Sequence, residues 1–296
     1  MEINRMFGSG TQSQKKNEKE SQGRFQFGVQ AACACADLSV QPLLYGLQKG
    51  LVPHDFTLKI SDPRSCAHHL IQGQVELALI PSIEYAKGKG AWQIVPQICL
   101  AAQGALGSMA LFFNKDLHTL RRIAVDERFP SALALLQIIL REKYEIESEL
   151  IPVSADLPTM LTRADAALLC GDRALNAQAD FPAHLDLGEE WYDLTGLPFV
   201  AAFWAGHEIS LSENEAHILQ QSAEIGLRNI EKISKEFAAA HPQDFAFYQS
   251  YLNDRLRYTF GKSEIEGLKE FFNYAFYLGL IEHIPDLHFL GQEETK

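Results

Sequence analysis

The chain has 296 residues, of which 47% are hydrophobic and 22% charged, and its formal net charge is −12. This composition excludes a protein that is disordered throughout, and the length favours two domains of roughly 150 residues each. The excess of acidic residues argues against nucleic acid or an anionic membrane surface as the main partner, because both need clustered Lys and Arg.

Residues 1–24 are polar, mixed in charge and rich in Gly, Ser and Gln, which predicts a disordered tail. No apolar segment of the secretory type follows its basic residues, and no apolar run approaches ~18 residues. We therefore predict neither a secretory signal nor a membrane span. The five cysteines lie in apolar sequence, which is typical of small buried side chains in a reducing compartment, and we expect a cytoplasmic protein. Cys33 and Cys35 form the only close pair, a weak metal signal, so no metal or cofactor is predicted.

Residues 25–111 predict a first α/β unit. Alternating apolar residues at 25–29 indicate a strand, and Pro42 stands where a helix can begin without losing a hydrogen bond. Further strands are predicted at 56–62 and 75–81, each followed by a helical pattern. This alternation of strand and helix predicts a parallel sheet.

Residues 112–198 repeat the same alternation and predict a second α/β unit. The predicted elements are a strand at 121–126, a helix at 130–144, a strand at 147–154, a helix at 156–163 and, within 164–175, a strand ending in a Gly–Asp turn. A short helix with Asp186 near its start and an apolar strand at 199–204 follow.

The last ninety residues are predicted to be helical. Ser212 with Glu215, and Ser263 with Glu266, have the spacing of capping boxes that open apolar-periodic segments. Gly279 and Pro285 are expected to end the last helix, and the aromatic residues of this region are expected to lie in the core.

Two apolar crossings, near Met109–Phe113 and Phe199–Trp204, separate the two units. The pattern predicts a clamshell in which residues 25–111 plus 199–296 form lobe 1 and residues 112–198 form lobe 2. A ligand is expected in the cleft between the lobes.

Three serines stand where a strand or a crossing leads into a turn or a helix: Ser82, Ser108 and Ser131. Helix N-termini offer unpaired N–H groups and can hold a carboxylate without a lysine, so several of them around one cleft would suit a dianion. Each serine taken alone is better explained as a helix cap. Arg128 is placed either to make a bidentate contact with a carboxylate or to lie in solvent. The common nucleotide, hydrolase and metalloprotease motifs are absent from the sequence.

Six segments in the same order resemble the chorismate dehydratase family of menaquinone biosynthesis by the futalosine route. They are ALIPSIEYAK (78–87), GALGSMALF (104–112), ALALLQIILREKY (132–144), ADAALLCGDRAL (164–175), DLGEEWYDLTGLPFVAAFWA (186–205) and YLNDRLRYTFGKSEIEGLKEFFNYAFYLGLI (251–281). The resemblance implies a type II periplasmic-binding-protein-like fold, in agreement with the predicted clamshell.

The resemblance also implies a reaction, the dehydration of chorismate to 3-[(1-carboxyvinyl)oxy]benzoate, with chorismate as a small-molecule substrate. A proton leaves the ring carbon that bears the enolpyruvyl ether, hydroxide leaves the neighbouring carbon, and the ring becomes aromatic. The base can be a substrate carboxylate, and the protein must bind both carboxylates and exclude water. We predict that Gly107 and Ser108, within GALGSMALF, bind substrate together with Ser82, Arg128 and Ser131.

This chain departs from the family pattern at two places. The family pattern YLNxxPL is DLSVQPL here, so Ser39 stands where a catalytic asparagine is expected. A Ser/Thr-rich turn before the long helix of lobe 2 becomes ERFPSA, which keeps Ser131 but has Ala132 beside it.

Three functions follow as alternatives. The first is a lyase that acts on chorismate, with Ser39 in the catalytic position. The second is a protein of the same fold that binds a small carboxylate without turnover. The third, the related enzyme that makes 1,4-dihydroxy-6-naphthoate, shares the fold, but its characteristic segments are not found. The sequence predicts no particular oligomeric state.

Overall fold

The computed structural model describes residues 31–88, 92–154, 156–178, 180–181 and 183–291, and its strands form two separate sheets. The strands of the first sheet are β1 (Ala31–Ala34), β2 (Thr57–Ile60), β3 (Leu77–Pro81), β4 (Trp92–Ile94), β5 (Gln97–Ala102), β11 (Phe199–His207) and β12 (Leu256–Phe260). Those of the second sheet are β6 (Met109–Phe113), β7 (Arg122–Val125), β8 (Glu149–Pro152), β9 (Ala166–Cys170) and β10 (His184–Asp186). We call each sheet, with the helices packed on it, a lobe.

Eleven α-helices fall within the described ranges. They are α1 (Gln41–Gln48), α2 (Pro63–Ile71), α3 (Ser82–Lys87), α4 (Pro130–Glu142), α5 (Leu157–Arg163), α6 (Gly171–Ala177), α7 (Leu187–Thr195), α8 (Glu213–Leu227), α9 (Ile230–Ala238), α10 (Phe245–Ser250) and α11 (Lys262–Tyr277). Short 3-10 turns occupy Leu38–Val40 and Leu117–Thr119, and a π-helical turn occupies Tyr251–Arg255. None of the described helices is both long enough and apolar enough to cross a bilayer.

Each sheet has a parallel part built from strand–helix units. The first sheet runs β12-β5-β11-β3-β1-β2, with β4 also on β11, and the second runs β10-β6-β9-β7-β8. β1 is parallel to β2 and β3, and β7 is parallel to β8 and β9, as the strand–helix alternation predicts. The α/β class is confirmed. The predicted tail at 1–24 and the alternation at 25–29 lie outside the described residues.

The strand β11 belongs to the first sheet, where it runs antiparallel between β3 and β5. Phe203 pairs with Ile80, and Phe199 pairs with Ala102. The chain therefore passes from the first sheet to the second between β5 and β6 and returns between β10 and β11. The division into lobes at 25–111 plus 199–296 and at 112–198 stays a prediction; its boundary would fall inside β6, all of which pairs in the second sheet.

Aromatic side chains join the return crossing to the C-terminal helix. Trp191 on α7 meets Phe199 on β11 edge-to-face at 6.2 Å between ring centroids, and Phe199 meets Phe271 on α11 at 5.2 Å. All three rings are fully buried. Such pairs add to the stabilisation from burial itself, so the apolar run after Pro198 is both a sheet strand and a core element.

Two local predictions are wrong. Gly171 and Asp172 begin α6 instead of forming a turn. The last helix begins after Gly261, whose N–H is accepted by Glu264 at 3.1 Å, and Ser263 with Glu266 does not form the predicted capping box.

The C-terminal region is also not wholly helical. It contains β12, in which alternate residues are buried against β5, a pattern that LRYTF carries in its sequence. Of the aromatic residues expected in the core, four are buried (Tyr248, Tyr251, Phe271 and Phe272), whereas Tyr277 is 81% exposed.

Gly226→Ala is expected to lower the free energy of unfolding by about 1–3 kcal/mol, the range for overpacking a core. On an exposed helix the same change would stabilise, because alanine has the higher helix propensity. Here an added Cβ would stand 1.9 Å from the carbonyl oxygen of Pro42, where α8 packs on α1. Chemical denaturation would measure the change, with exposed Glu224→Ala on the same helix as the control. An unchanged or raised stability for Gly226→Ala would contradict this packing.

Candidate ligand-binding site

A cavity of about 600 Å³, including its mouth, lies where the two lobes face each other. Its walls are mostly apolar, and residues from both sheets contribute to them. The polar and thiol-bearing lining residues are Cys35, Asp37, Ser39, Ser108 and Ser131. Within the described part of the chain no Lys, Arg or His lines it, and no group of three His, Cys, Asp or Glu side chains could hold a metal ion.

Ser82 and Ser131 meet across the cleft at the N-termini of two helices. Their Oγ atoms lie 3.2 Å apart, and the Ser131 hydroxyl also accepts the backbone N–H of Ile83 at 3.2 Å. Both serines are buried, but only Ser131 lines the cavity. Ser82 therefore lies behind Ser131 and fixes the position of its hydroxyl.

Ser108 lines the cavity at the end of the first crossing, where Asp186 holds the preceding residues. The carboxylate of Asp186 accepts the N–H groups of Leu106 at 2.8 Å and Gly107 at 2.5 Å, and it also caps α7. The carbonyl of Ser108 accepts the N–H of Gly171 at 2.8 Å, which ties the crossing to the start of α6.

Gly107, predicted to bind substrate, does not line the cavity. Its N–H is used by Asp186, its carbonyl accepts from the side-chain amide of Gln178, and its φ is +79°. A Cβ there would stand 2.8 Å from Nη1 of Arg255 and 3.4 Å from Cε2 of Tyr251. In this structure the glycine makes room for these side chains.

Arg128 also lies outside the cavity lining. Its Nε donates to Asp126 Oδ1 at 2.9 Å, and Arg173 approaches the same carboxylate at 3.4 Å. Burial would raise the pKa of Asp126, but the hydrogen bonds and charge of Arg128 outweigh it and hold that pKa below its usual value. The guanidinium is therefore committed to a buried carboxylate of its own lobe.

Ser39 lies in the 3-10 turn that follows β1, with 7% of its surface exposed, and it lines the cavity. Its carbonyl oxygen accepts the hydroxyl of Tyr258 at 2.8 Å. The structure thus brings Ser39, Ser108 and Ser131 to one cavity, with Ser82 directly behind. The roles assigned to these residues stay predictions.

Two carboxyl groups, one from each lobe, approach each other beside Ser39, and the sequence analysis missed both. Asp37 lines the cavity, and its Oδ1 lies 3.4 Å from the backbone N of Asp172. Asp172 Oδ1 in turn accepts the N–H of Leu38 at 2.8 Å. Burial raises the pKa of Asp37, and burial together with the charge of Asp37 raises the pKa of Asp172 to about 7. A protonated Asp37 could donate a hydrogen bond to a ligand carboxylate.

A positional signal for these two acids was present in the sequence. Asp37 follows β1 and Asp172 follows β9, and both lie at the carboxyl ends of parallel strands, where ligands of α/β proteins bind. The same rule selected the serines, but the acids were overlooked because an anionic ligand was expected.

The free energy of unfolding is expected to fall as pH rises from 5 to 8, and Asp172→Asn is expected to reduce this fall. Between pH 4 and pH 7 the folded protein holds more protons on Asp172 than the unfolded chain, whose carboxyl pKa is near 3.8. The stability from this group is full below pH 4 and is lost as pH rises through about 7. With its partial exposure, we expect an effect on the order of 1–2 kcal/mol.

Chemical denaturation at the two pH values checks this, with the exposed Glu149→Gln as control. An equal pH dependence of the Asp172→Asn variant and the natural protein would contradict it. The amide can still accept the N–H of Leu38, so this local bond is retained.

A family model described as menaquinone biosynthesis matches residues 32–277, from β1 to the end of α11. The chain belongs to the menaquinone biosynthesis family. The match includes both sheets and every lining residue of the cavity. The cleft is therefore built entirely from the part of the chain that is shared with this family.

The chain is also similar to a named relative and to proteins of known structure. It is 28% identical over 228 residues to the chorismate dehydratase of Thermus thermophilus, covering 68% of this chain and 80% of that protein. A crystal structure of a protein from Archaeoglobus fulgidus superposes with a TM-score of 0.71 at 19% identity, covering 85% of this chain and 98% of that one.

A third comparison concerns the fold alone. A Candida albicans gene product described as having the generic periplasmic binding protein fold superposes with a TM-score of 0.62 at 11% identity, covering 91% of this chain and 99% of that one. The periplasmic-binding-protein-like fold of this menaquinone biosynthesis family member is thereby confirmed.

Proposed function

We propose that this protein dehydrates chorismate to 3-[(1-carboxyvinyl)oxy]benzoate. The observation that carries the proposal is one cavity between two lobes, lined by Ser39, Ser108 and Ser131, in a chain of the menaquinone biosynthesis family. The similarity to a chorismate dehydratase supports the choice of substrate.

The cavity has the donors that a dicarboxylate needs without a lining lysine or arginine. Ser131 and Ala132 line it where α4 begins, and the first N–H groups of a helix have no partner within the helix. The N–H groups of Ile83 and Gly171, at the starts of α3 and α6, are bonded to Ser131 and Ser108. The hydroxyls of Ser108 and Ser131 add donors from the side chains. Helix N-termini favour negative charge, so a ligand dianion can be bound in an acidic protein.

The reaction needs positioning more than strong acid or base. A carboxylate of the substrate takes the proton from the ring carbon that bears the ether, and hydroxide departs from the neighbouring carbon. Aromatisation of the ring drives the step. Ser39 is assigned to orient the departing hydroxyl, and Asp37, two residues earlier on the same wall, is available to hydrogen-bond with a ligand carboxylate. Closure of the lobes around the substrate excludes water.

A second function, binding of a small carboxylate without turnover, is favoured by one observation. Ser39 stands where the family pattern has asparagine, and its shorter side chain reaches less far into the cavity. The fold itself is also that of binding proteins. In either function we place the protein in the cytoplasm, because its five cysteines are all unpaired and buried.

An assay with purified protein and chorismate, following the aromatic product by absorbance and confirming its mass, separates the two functions. Enzymatic turnover supports the dehydratase. Calorimetric binding of chorismate without product supports the binding protein, and absence of both would contradict the proposal.

Ser108→Ala and Ser131→Ala are each expected to weaken chorismate binding by about 1–3 kcal/mol, the range for losing a hydrogen bond to a charged group. Ser82→Ala is expected to weaken it too, by acting through Ser131, whose hydroxyl it contacts. Titration calorimetry measures the three affinities, with Ser148→Ala, whose hydroxyl bonds the carbonyl of Leu120, as the control. Unchanged affinity in all three would show that the serines act only within the protein.

A further inference from the structure

The side chain of Tyr251 has a buried hydroxyl without a hydrogen-bond partner in the described part of the chain. The residue is 2% exposed, and its phenol oxygen has no hydrogen-bond partner among the described residues. A buried polar group without a partner costs stability, so native proteins pair nearly all of them. Each exception therefore calls for a physical reason.

The hydroxyl lies next to the cavity, between serines from its two sides. Burial raises the pKa of Tyr251, and the neighbouring hydroxyls of Ser108 and Ser39 pull it the other way, which places both close to the phenol oxygen. The ring packs on Gly107, the residue before Ser108. Ser108 and Ser39 line the cavity, whereas Tyr251 stands behind them.

The backbone at Tyr251 is also unusual. Tyr251–Arg255 forms a π-helical turn between α10 and β12. Such turns are rare in proteins, and many of those that are known lie at functional sites. The turn inserts the tyrosine toward the crossing while Leu256, directly after it, lines the cavity.

We propose that Tyr251 is a positioning residue that acts through Ser108. In the complex, the phenol O–H donates to Ser108 Oγ, and Ser108 donates its own proton to a ligand carboxylate. Donors and acceptors in such a chain polarise one another, and the low dielectric of the cleft strengthens the effect. This bond gives the phenol hydroxyl a partner, which it otherwise lacks among the described residues.

The role rests on the proposed function, and the test uses chorismate as the probe. Tyr251→Phe keeps the ring and removes only the hydroxyl. We expect the empty variant to be as stable as the natural protein or more stable, and chorismate binding to fall roughly three- to tenfold. Tyr248→Phe is the matched control, since the buried Tyr248 donates to Asn176 Oδ1 at 2.7 Å, and its loss should destabilise the empty protein.

A double-mutant cycle with Ser108→Ala identifies the route of action. If Tyr251 acts through Ser108, removing the Tyr251 hydroxyl does not weaken chorismate binding further once Ser108 is alanine. The losses of affinity from the two substitutions are then not additive. Unchanged affinity of Tyr251→Phe, or an additive loss together with destabilisation as large as that of Tyr248→Phe, would overturn the role while leaving the dehydratase intact. Failure of the natural protein itself to bind chorismate would instead overturn the proposed function, and this assignment with it.

Discussion

Gly171→Ala is expected to weaken chorismate binding by roughly five- to 150-fold, the equivalent of ~1–3 kcal/mol. Gly171 has φ +63° and lines the cavity, and a Cβ there would stand 2.3 Å from Oδ1 of Asp37 in the other lobe. The side chain of Asp37 is short and half-buried, so the methyl group must displace the carboxyl or hold the lobes apart. Overpacking of this kind costs about 1–3 kcal/mol. The clash arises only when the lobes are closed, so it destabilises the closed, ligand-binding state.

The control is Gly50→Ala. Gly50 has the same φ of +63°, but nothing lies within 4 Å of the position of its Cβ, so this variant reproduces the backbone strain without the clash. Titration with chorismate gives the affinities, and small-angle scattering shows whether Gly171→Ala is more open. Adding Asp37→Ala should recover part of the loss by making room for the methyl group. A loss no larger than that of Gly50→Ala would mean that closure of the cleft does not depend on this contact.

Ser39→Asn is expected to raise turnover of chorismate, by up to about a hundredfold. An amide carries both a donor and an acceptor and reaches about one bond further than a hydroxymethyl group, and misplacement by about 1 Å can cost two orders of magnitude in rate. Ser39 lines the cavity, so the longer side chain extends into open space. The natural protein is therefore expected to bind chorismate and to convert it slowly.

The measurement is kcat at saturating chorismate for both proteins, with Ser39→Ala to show whether the serine hydroxyl contributes at all. Fast turnover by the natural protein, with no gain in Ser39→Asn, would show that serine is an adequate replacement. Tight binding without turnover in both would favour the carboxylate-binding protein. Loss of binding in Ser39→Asn alone would indicate that the cavity has no room for the amide.

The sequence was sufficient for features that depend on near neighbours along the chain. Asp186 caps α7 by accepting the N–H groups of Gly188 and Glu189, and Ser212 with Glu215 forms the predicted capping box, because both motifs close within four residues. Gly279, with φ +70°, follows the last helix as its pattern predicts. The continuous apolar run at 199–204 predicted β11, because a strand that is buried on both faces has apolar residues at nearly every position.

The local sequence pattern also led to wrong predictions in the C-terminal region, where the same segment can be interpreted as helix or strand and more than one residue has the spacing of a helix cap. LRYTF alternates as a strand does, yet it was included in a helical region because helical segments flank it on both sides. Ser263 with Glu266 has the spacing of a capping box but lies two residues beyond the actual N-cap, Gly261. Glu264 accepts the N–H of Gly261 and pairs with Arg257 of β12 at 3.6 Å.

The candidate site separates what the sequence determined from what only the tertiary structure decided. The strand–helix alternation by itself determined the α/β class and placed Ser82 and Ser131 at helix starts, since backbone periodicity and capping are local. Whether a residue at such a position faces the cleft depends on partners far along the chain. Gly107 and Arg128 satisfied the sequence pattern, yet their polar groups are used by Asp186 and Asp126.

Asp37 and Asp172, and Tyr251 with Ser108, come together only through contacts between residues more than a hundred positions apart. Burial and the charge of a facing carboxyl raise the pKa of Asp172, and neither is present until the lobes meet. Desolvation and charge proximity are properties of the folded chain, because an unfolded segment exposes every such group to water. For this reason the sequence by itself determined the elements that surround the cleft, and only the packing of one lobe against the other decided which side chains form it.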